Sequence, residues 1–312
     1  MFSRQLKSLK LLGWGELTAI FAQRAATFAT YRHTGLFVSP ELESLLSALS
    51  AKKVHPKGKP QKAPIGATLH ILSRALQGGG HTRVVERWIN YSPASELHSV
   101  LITRGGKPTK RLKTEVEKRK GEIIVQSRVS PLLLRARQIL SVSQGYSRIV
   151  LHVHMDDILP MLALSNKLNS AEVIHFNHAD HRFWVGASLP NRVIEMRTWG
   201  KKISERHRSI NRSEVVGIPL PEGPNLETIQ RQGARVKLGI SSTKEVILTA
   251  GHPVKYARGA SPDFAEVVRE LLIGKPDRQL IAIGPKASSK NYWSKLVRDF
   301  PGQVVLLQYM PK

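Results

Sequence analysis

The sequence predicts an α/β protein of two parallel-sheet domains behind a helical N-terminal extension. Three observations carry this. Short runs rich in Val, Ile and Leu recur without polar alternation, as suits strands covered on both faces. Each run is followed by a stretch of helical character, and such alternation implies a doubly wound parallel sheet. The series breaks at Val215–Leu220, where Pro219 lies in an apolar run and Pro221 follows, and a shorter second series then begins.

In chain order, residues 1–50 read as two helices, the second opened by Ser39 as cap with Pro40 in the first turn. Residues 51–65 read as a linker. Lys52, Lys53, Lys57, Lys59 and Lys62 repel one another there, and Pro56, Pro60 and Pro64 stiffen the chain. Strands are expected at Ala67–Leu72, Leu97–Thr103, Glu122–Gln126, Ser147–His152, Ala171–Asn177 and Arg192–Met196. Helices are expected at Thr82–Asn90, Lys107–Lys120, Pro131–Leu140, Asp156–Leu168 and Thr198–His207. An interdomain hinge falls at Val215–Leu220. The second series has strands at Glu245–Ala250, Gln279–Ile283 and Gln303–Leu307, with helices at Asp263–Leu272 and Tyr292–Asp299. The expected division is therefore a Rossmann-like domain over 66–218 and a partial, truncated Rossmann-like domain over 219–312.

Composition narrows the function. Lys plus Arg is 48 against 23 Asp plus Glu in 312 residues, a formal net charge of +25. Such a field draws polyanions: nucleic acid, anionic lipid or phosphorylated small molecules. The absence of cysteine excludes disulfides, thiol catalysis and Cys-ligated zinc. No stretch of about 18 apolar residues suggests a membrane span. The basic N-terminus, with Glu16 as its one acid before Tyr31, suits an amphipathic surface helix, a weak transit-like segment or a plain packing helix better than a secretory signal.

Three segments can carry chemistry. Gly78-Gly79-Gly80-His81-Thr82-Arg83 follows a strand and opens a helix, where bare backbone N–H groups can meet a phosphate. It is not a dinucleotide fingerprint, because Arg83 stands where a third glycine would. The second segment is the densest. His152, His154, Asp156 and Asp157 end one strand, and His175, His178, Asp180 and His181 end another. Adjacent parallel strands would set these ends together at the crevice. Imidazoles and carboxylates there can bind a metal, contact substrate, move protons or form a structural polar network. Third, Gly251-His252-Pro253-Val254-Lys255-Tyr256-Ala257-Arg258 follows a strand of the second series, and its cations can neutralise a diphosphate.

Gly78–Arg87, Val173–Gly186 and Ile247–Gly259 together resemble retaining glycosyltransferases of the GT-B fold, the "group 1" family, over about Ala67–Lys312. The run Asn177-His178-Ala179-Asp180-His181-Arg182-Phe183-Trp184 is similar to a subset acting in bacterial surface-polysaccharide, lipopolysaccharide or protein glycosylation. The resemblance implies two domains across a cleft, a nucleotide-sugar donor, a glycan, lipid-linked or protein acceptor, and neither cofactor nor metal. It implies that Gly79 and Gly80 approach the donor, that His178 contacts the donor sugar with Asp180 in the catalytic set, and that Lys255 and Arg258 grip the diphosphate. His154, Asp156 and His181 would line the cleft. His252 stands where the family places an arginine after the glycine. The second domain of the family continues about another hundred residues. It carries a Glu-rich motif absent here, so the chain reads as a fragment or degenerate copy.

The expected activity is transfer of a sugar from a nucleotide sugar, in the cytoplasm or at the inner face of a membrane. The competing readings are a basic nucleic-acid- or membrane-binding protein, a metal-dependent His/Asp hydrolase, and an inactive partner subunit. Nucleic acid is disfavoured because no recognition module or aromatic stacking platform is present.

Overall fold

The computed structural model describes residues 13–32, 34–56, 64, 66–77, 79–166, 168, 170–217, 231–251, 253–256, 263–285 and 292–308. The chain divides into two compact units, Met1–Pro219 and Leu220–Lys312. The architecture is α/β with two parallel sheets, as the sequence predicts, of seven and three strands.

Two helices open the first unit. In α1 (Trp14–Tyr31) the small residues Ala19, Ala22 and Ala26 are buried, while Trp14, Phe21 and Phe28 face outward. Glu16 is also buried, and it accepts from the amides of Leu132 (2.5 Å) and Leu133 (3.0 Å). It thereby caps a helix whose own first residues have no side-chain cap. In α2 (Pro40–Lys53) Ser39 accepts from the Leu42 amide, with Pro40 opening the first turn. Residues 51–53, assigned to the linker by composition, form the last turn of α2; there Lys52 and Lys53 oppose the negative end of the helix dipole. Linker residues 57–63 lie outside the described residues.

The large sheet is built from β1 (Thr68–Leu72), β2 (His98–Ile102), β3 (Ile123–Val125), β4 (Arg148–His152), β5 (Glu172–Asn177), β6 (Arg192–Glu195) and β7 (Ser213–Val215). Their order is β3-β2-β1-β4-β5-β6-β7, every pairing parallel. The order reverses between β1 and β4, and ligands bind such sheets beyond the carboxyl ends of the strands at that point. The crossovers carry α3 (Gly80–Tyr91), α4 (Lys110–Lys118), α5 (Leu132–Ser143), α6 (Leu159–Leu164) and α7 (Thr198–Arg208). One face of the sheet buries Leu69, Ile71, Leu101, Ile149 and Leu151 against α1, α2, α5 and α6. The other buries Leu72, Val100 and Ile102 against Val85 and Ile89 of α3 and Leu112 and Val116 of α4.

Two sequence expectations need correction. Asp156–Leu168 is helical only over α6, because His154–Asp157 forms a turn bonded from the Asp157 amide to the His154 carbonyl. Val215 belongs to β7, a seventh strand, and not to a hinge; hinge residues 218–220 lie outside the described residues.

The second unit contains α8 (Arg231–Lys237), β8 (Glu245–Ala250), α9 (Phe264–Leu272), β9 (Arg278–Ile283), α10 (Tyr292–Asp299) and β10 (Val304–Leu307). Its parallel sheet has the order β10-β9-β8. Helix α9 begins with a full capping box, Asp263 with Glu266, and Tyr256, Trp293 and Leu296 anchor the core. Among the described residues no helix is long and apolar enough to cross a membrane.

Candidate functional site

The carboxyl ends of β1, β4 and β5 converge on imidazoles. Strand parity puts His70, His98 and His152 on the face covered by α3, since Thr68 pairs with His98 and Leu72 with His152. Phe176 and His178, at the end of β5, continue the same face, Phe176 stacking on His152 at 5.5 Å. The rings meet in sequence: His98 Nδ1 to His70 Nε2 at 3.0 Å, His70 Nδ1 to His152 Nε2 at 3.3 Å, and His152 Nδ1 to His178 Nε2 at 3.3 Å. At the far end Glu96 Oε2 lies 3.4 Å from His98 Nε2, a long contact short of hydrogen-bond geometry. His70, His98 and His152 are completely buried. A buried polar ring is tolerated only when bonded, and this chain supplies the bonds.

Helix α3 overhangs the open end of the chain. His81, in its first turn, stacks on His178 with centroids 3.7 Å apart and planes 15° from parallel. The His81 Nδ1 lies 3.4 Å from the His152 carbonyl oxygen, which can only accept, so His81 carries its proton there. Gly79 is the N-cap, and no side chain caps the helix. A Cβ on Gly79 would meet the Leu76 carbonyl oxygen at 3.2 Å, whereas one on Gly80 would meet nothing within 4 Å. The first amides of a twelve-residue helix thus border open space beside His178.

These rings are held neutral. Burial pushes His178 down to about 2, reinforced by His81, His175 and His154. Burial likewise lowers His81 to about 4, and lowers His154 with Arg104 adding to the effect. His70 and His152 are driven well below the ordinary imidazole range by the same desolvation. A neutral imidazole offers one donor and one acceptor, so the rings can bind hydroxyl groups without bearing charge.

The carboxylates do something else. Asp156 is buried, takes a bond from Thr27 (2.8 Å) and pairs with Arg104 (3.0 Å). Asp157 accepts from Ser73 and Thr103, each at 2.6 Å, tying together the chain just after β1 and β2. Asp180 is buried and held by Arg197 at 2.6 and 2.8 Å; that pairing lowers its pKa against the opposing effect of burial. His181 is exposed and 3.4 Å from Asp180. Asp156 and Asp180, expected to line the cleft and to take part in the reaction, are both engaged in ion pairs, with Arg104 and Arg197.

Much of the distinctive 177–188 segment is likewise structural. Glu43 of α2 accepts from the amides of Gly186 (2.7 Å), Ala187 (2.8 Å) and Ser188 (3.0 Å), and from the Ser188 hydroxyl. Trp184 is buried between His175 at 4.0 Å and the Arg208 guanidinium at 5.1 Å. Arg208 also donates to the carbonyls of Asp180 (2.7 Å) and Arg182 (2.6 Å). Glu195 binds Asn177 at 3.0 Å and Ser204 at 2.5 Å. Gly200 of α7 must lack a side chain, for a Cβ would stand 2.6 Å from Glu195 Oε2.

Of the residues expected from sequence, Gly79, Gly80, His178 and His154 gather around His81, which lies 5.6 Å from the His154 ring. Lys255 is exposed in a short 3-10 turn, Pro253–Tyr256, of the second unit. Arg258 and His252 lie outside the described residues. Sequence reasoning missed His70, His98 and Glu96, although single histidines inside the apolar runs Thr68–Leu72 and Leu97–Ile102 were a signal. Among the described residues no group of three or more histidines, aspartates or glutamates is arranged to hold a metal ion. Clefts of about 660 and about 900 Å³ open at the amino ends of β5 and β6, around Glu172, Asn191 and Ala171. Glu172 is occupied there with Arg192 at 3.1 Å, and none of the low-pKa imidazoles lines either cleft.

No family model matches the sequence, and no curated protein is significantly similar to it. Solved structures do share its fold. Anabaena HepE, solved in complex with UDP and glucose, aligns with a TM-score of 0.54 at 11% identity, over 78% of this chain and 69% of that chain. The same protein in complex with UDP-glucose aligns at 0.52 with 12% identity. A mutant of the O-GlcNAc transferase of Thermobaculum terrenum aligns at 0.50 with 10% identity, over 96% of this chain but 55% of that one. The fold is GT-B-like, matched over part of its extent.

Proposed function

We propose that the chain uses a nucleotide sugar as donor and transfers its sugar to a glycan, lipid-linked or protein acceptor, in the manner of the retaining "group 1" transferases. One observation carries the reading: an uncapped helix N-terminus opens beside a neutral, partly exposed imidazole, His178, at the strand ends where the sheet order reverses. The likeness in fold to a protein solved with UDP-glucose supports it.

The chemistry divides between the two features. Departure of a nucleoside diphosphate leaves negative charge, and the amides of Gly80 and His81 with the positive end of α3 are suited to receive it. Gly79 and Gly80 let the phosphate come close to the backbone. His178, neutral and bonded from behind by His152, contacts the sugar hydroxyls. Asp180 acts through position, holding the 178–182 turn by its pair with Arg197. Lys255 and Arg258 are assigned to the diphosphate by resemblance. A lipid-linked acceptor suits the outer face of α1, where Trp14, Phe21 and Phe28 are 88%, 64% and 61% exposed on a chain of net charge +25.

The test is a thermal-shift and ligand-observed NMR panel of UDP-, GDP- and ADP-sugars. A ligand at one hundred times its Kd stabilises the folded state by about 2.7 kcal/mol. At least one nucleotide sugar should raise the melting temperature, and His178→Ala should reduce its shift to that of the free nucleoside diphosphate, whose own shift should stay unchanged. A panel with no shift at all defeats the proposal. Flotation with anionic vesicles, compared with Phe21→Ser/Phe28→Ser, tests the lipid surface.

A further inference from the structure

The imidazole chain has a direction, and Glu96 sets it. Four neutral rings linked nitrogen to nitrogen can be protonated in only two consistent ways, because each link needs one donor and one acceptor. In one arrangement every ring carries its proton on Nε2: His178 donates to His152, His152 to His70, His70 to His98, and His98 points its N–H at Glu96. In the other every ring is protonated on Nδ1, and His98 turns a bare nitrogen lone pair toward Glu96 Oε2, 3.4 Å away. An ionised carboxylate can only accept, so it repels the lone pair and favours the first arrangement. His98 is fully buried, so no water competes at its ring, while the Glu96 carboxylate facing it at 3.4 Å is partly exposed.

We propose that Glu96 fixes the tautomers of His98, His70, His152 and His178, so that His178 presents its Nδ1 as a bare acceptor at the carboxyl end of the sheet. Among the described residues that nitrogen has no partner. The ligand atom that meets it must therefore carry a hydrogen, as a sugar hydroxyl or an amide does, and a phosphate oxygen is excluded from that position. Glu96 is a positioning residue that acts across four strands, at the opposite end of the sheet from the site. The requirement deepens the transferase reading and rests on it for the identity of the ligand. The tautomers themselves do not depend on that reading.

The decisive measurement is long-range 1H–15N correlation of the histidine rings in the full chain, which distinguishes Nε2–H from Nδ1–H directly. The wild type should show His98, His70, His152 and His178 all as Nε2–H. Glu96→Lys places a donor opposite His98 Nε2 and should convert the four rings to Nδ1–H; Glu96→Gln, which can donate or accept, should give a mixture. Glu96 is a partly exposed loop residue, so the folded spectrum should persist in both variants. With a binding nucleotide sugar in hand, Glu96→Lys should weaken its affinity about tenfold, the worth of one hydrogen bond of about 1.4 kcal/mol, and leave that for the free nucleoside diphosphate unchanged. Nδ1–H at His178 in the wild type, or tautomers indifferent to Glu96→Lys, overturns the inference. If the tautomers follow Glu96 while no nucleotide sugar binds, the polarity stands and the transferase reading falls.

Discussion

The two faces of the seven-stranded sheet are made by the same strands and built on opposite principles. Toward α1, α2, α5 and α6 the strands β1, β2 and β4 contribute Leu69, Ile71, Leu101, Ile149 and Leu151, with the small Ser99 as the one polar side chain among them. Toward α3 and α4 the same strands contribute Leu72, Val100 and Ile102, but also His70, His98 and His152. The aliphatic face gains its stability from removing apolar area from water. The histidine face gives some of that up and recovers it only through bonds between rings. That difference separates scaffold from site: the face with the costlier core ends at His178.

The largest expected effect breaks the aliphatic face. Leu101→Ala, at a fully buried position, should cost about 2–5 kcal/mol in denaturant unfolding and leave the histidine tautomers as they were. Glu43→Ala should come next. It deprives three backbone amides of one carboxylate, a loss of about 3 kcal/mol, and should expose the 182–188 segment to proteolysis before the rest of the first unit unfolds. On the histidine face, His70→Leu fills similar space but strands His98 Nδ1 and His152 Nε2; a cost of about 1–3 kcal/mol is expected, with the His178 tautomer no longer responsive to Glu96. If His70→Leu proves stabilising, the chain is not satisfied as drawn, and the contrast between the faces disappears.

Acid should separate the faces most gently. His70, His81 and His152 have folded pKa values below that of an exposed imidazole, about 6.5. Below about pH 6.5 the unfolded chain therefore binds more protons than the folded one. Stability should be full above that pH and fall as pH drops toward the folded values, about 4 for His81. Each buried ring contributes a slope of up to about 1.4 kcal/mol per pH unit. Melting curves between pH 7 and pH 4 should be less steep in pH for His70→Leu than for the wild type, and about equally steep for Leu101→Ala.

Part of this was legible beforehand. Runs such as Ile149–Leu151 announce covered strands, Ser39-Pro40 announces a helix start, and the strand–helix rhythm announces a doubly wound sheet. His178 beside Gly79-Gly80 was also within reach, because both follow strands and strand ends meet in such folds. The roles of the neighbouring acids were not. Asp156 and Asp180 look like catalytic groups in a string of residues, and only the folded chain shows them paired with Arg104 and Arg197. β7 was hidden because three residues, Ser213, Glu214 and Val215, carry too little pattern to register as a strand.

By itself, then, the order of amino acids determined most of the strands and helices, β7 and α8 apart, and through their alternation that the strands run parallel, since local propensity and apolar periodicity act over a few residues. What only the folded chain decided is which imidazoles touch. His98, His70, His152 and His178 form links between residues 28, 82 and 26 positions apart. Those links exist because the register aligns Thr68 with His98 and Leu72 with His152. A register is a property of paired backbones, and a slip of one residue would turn every ring to the opposite face.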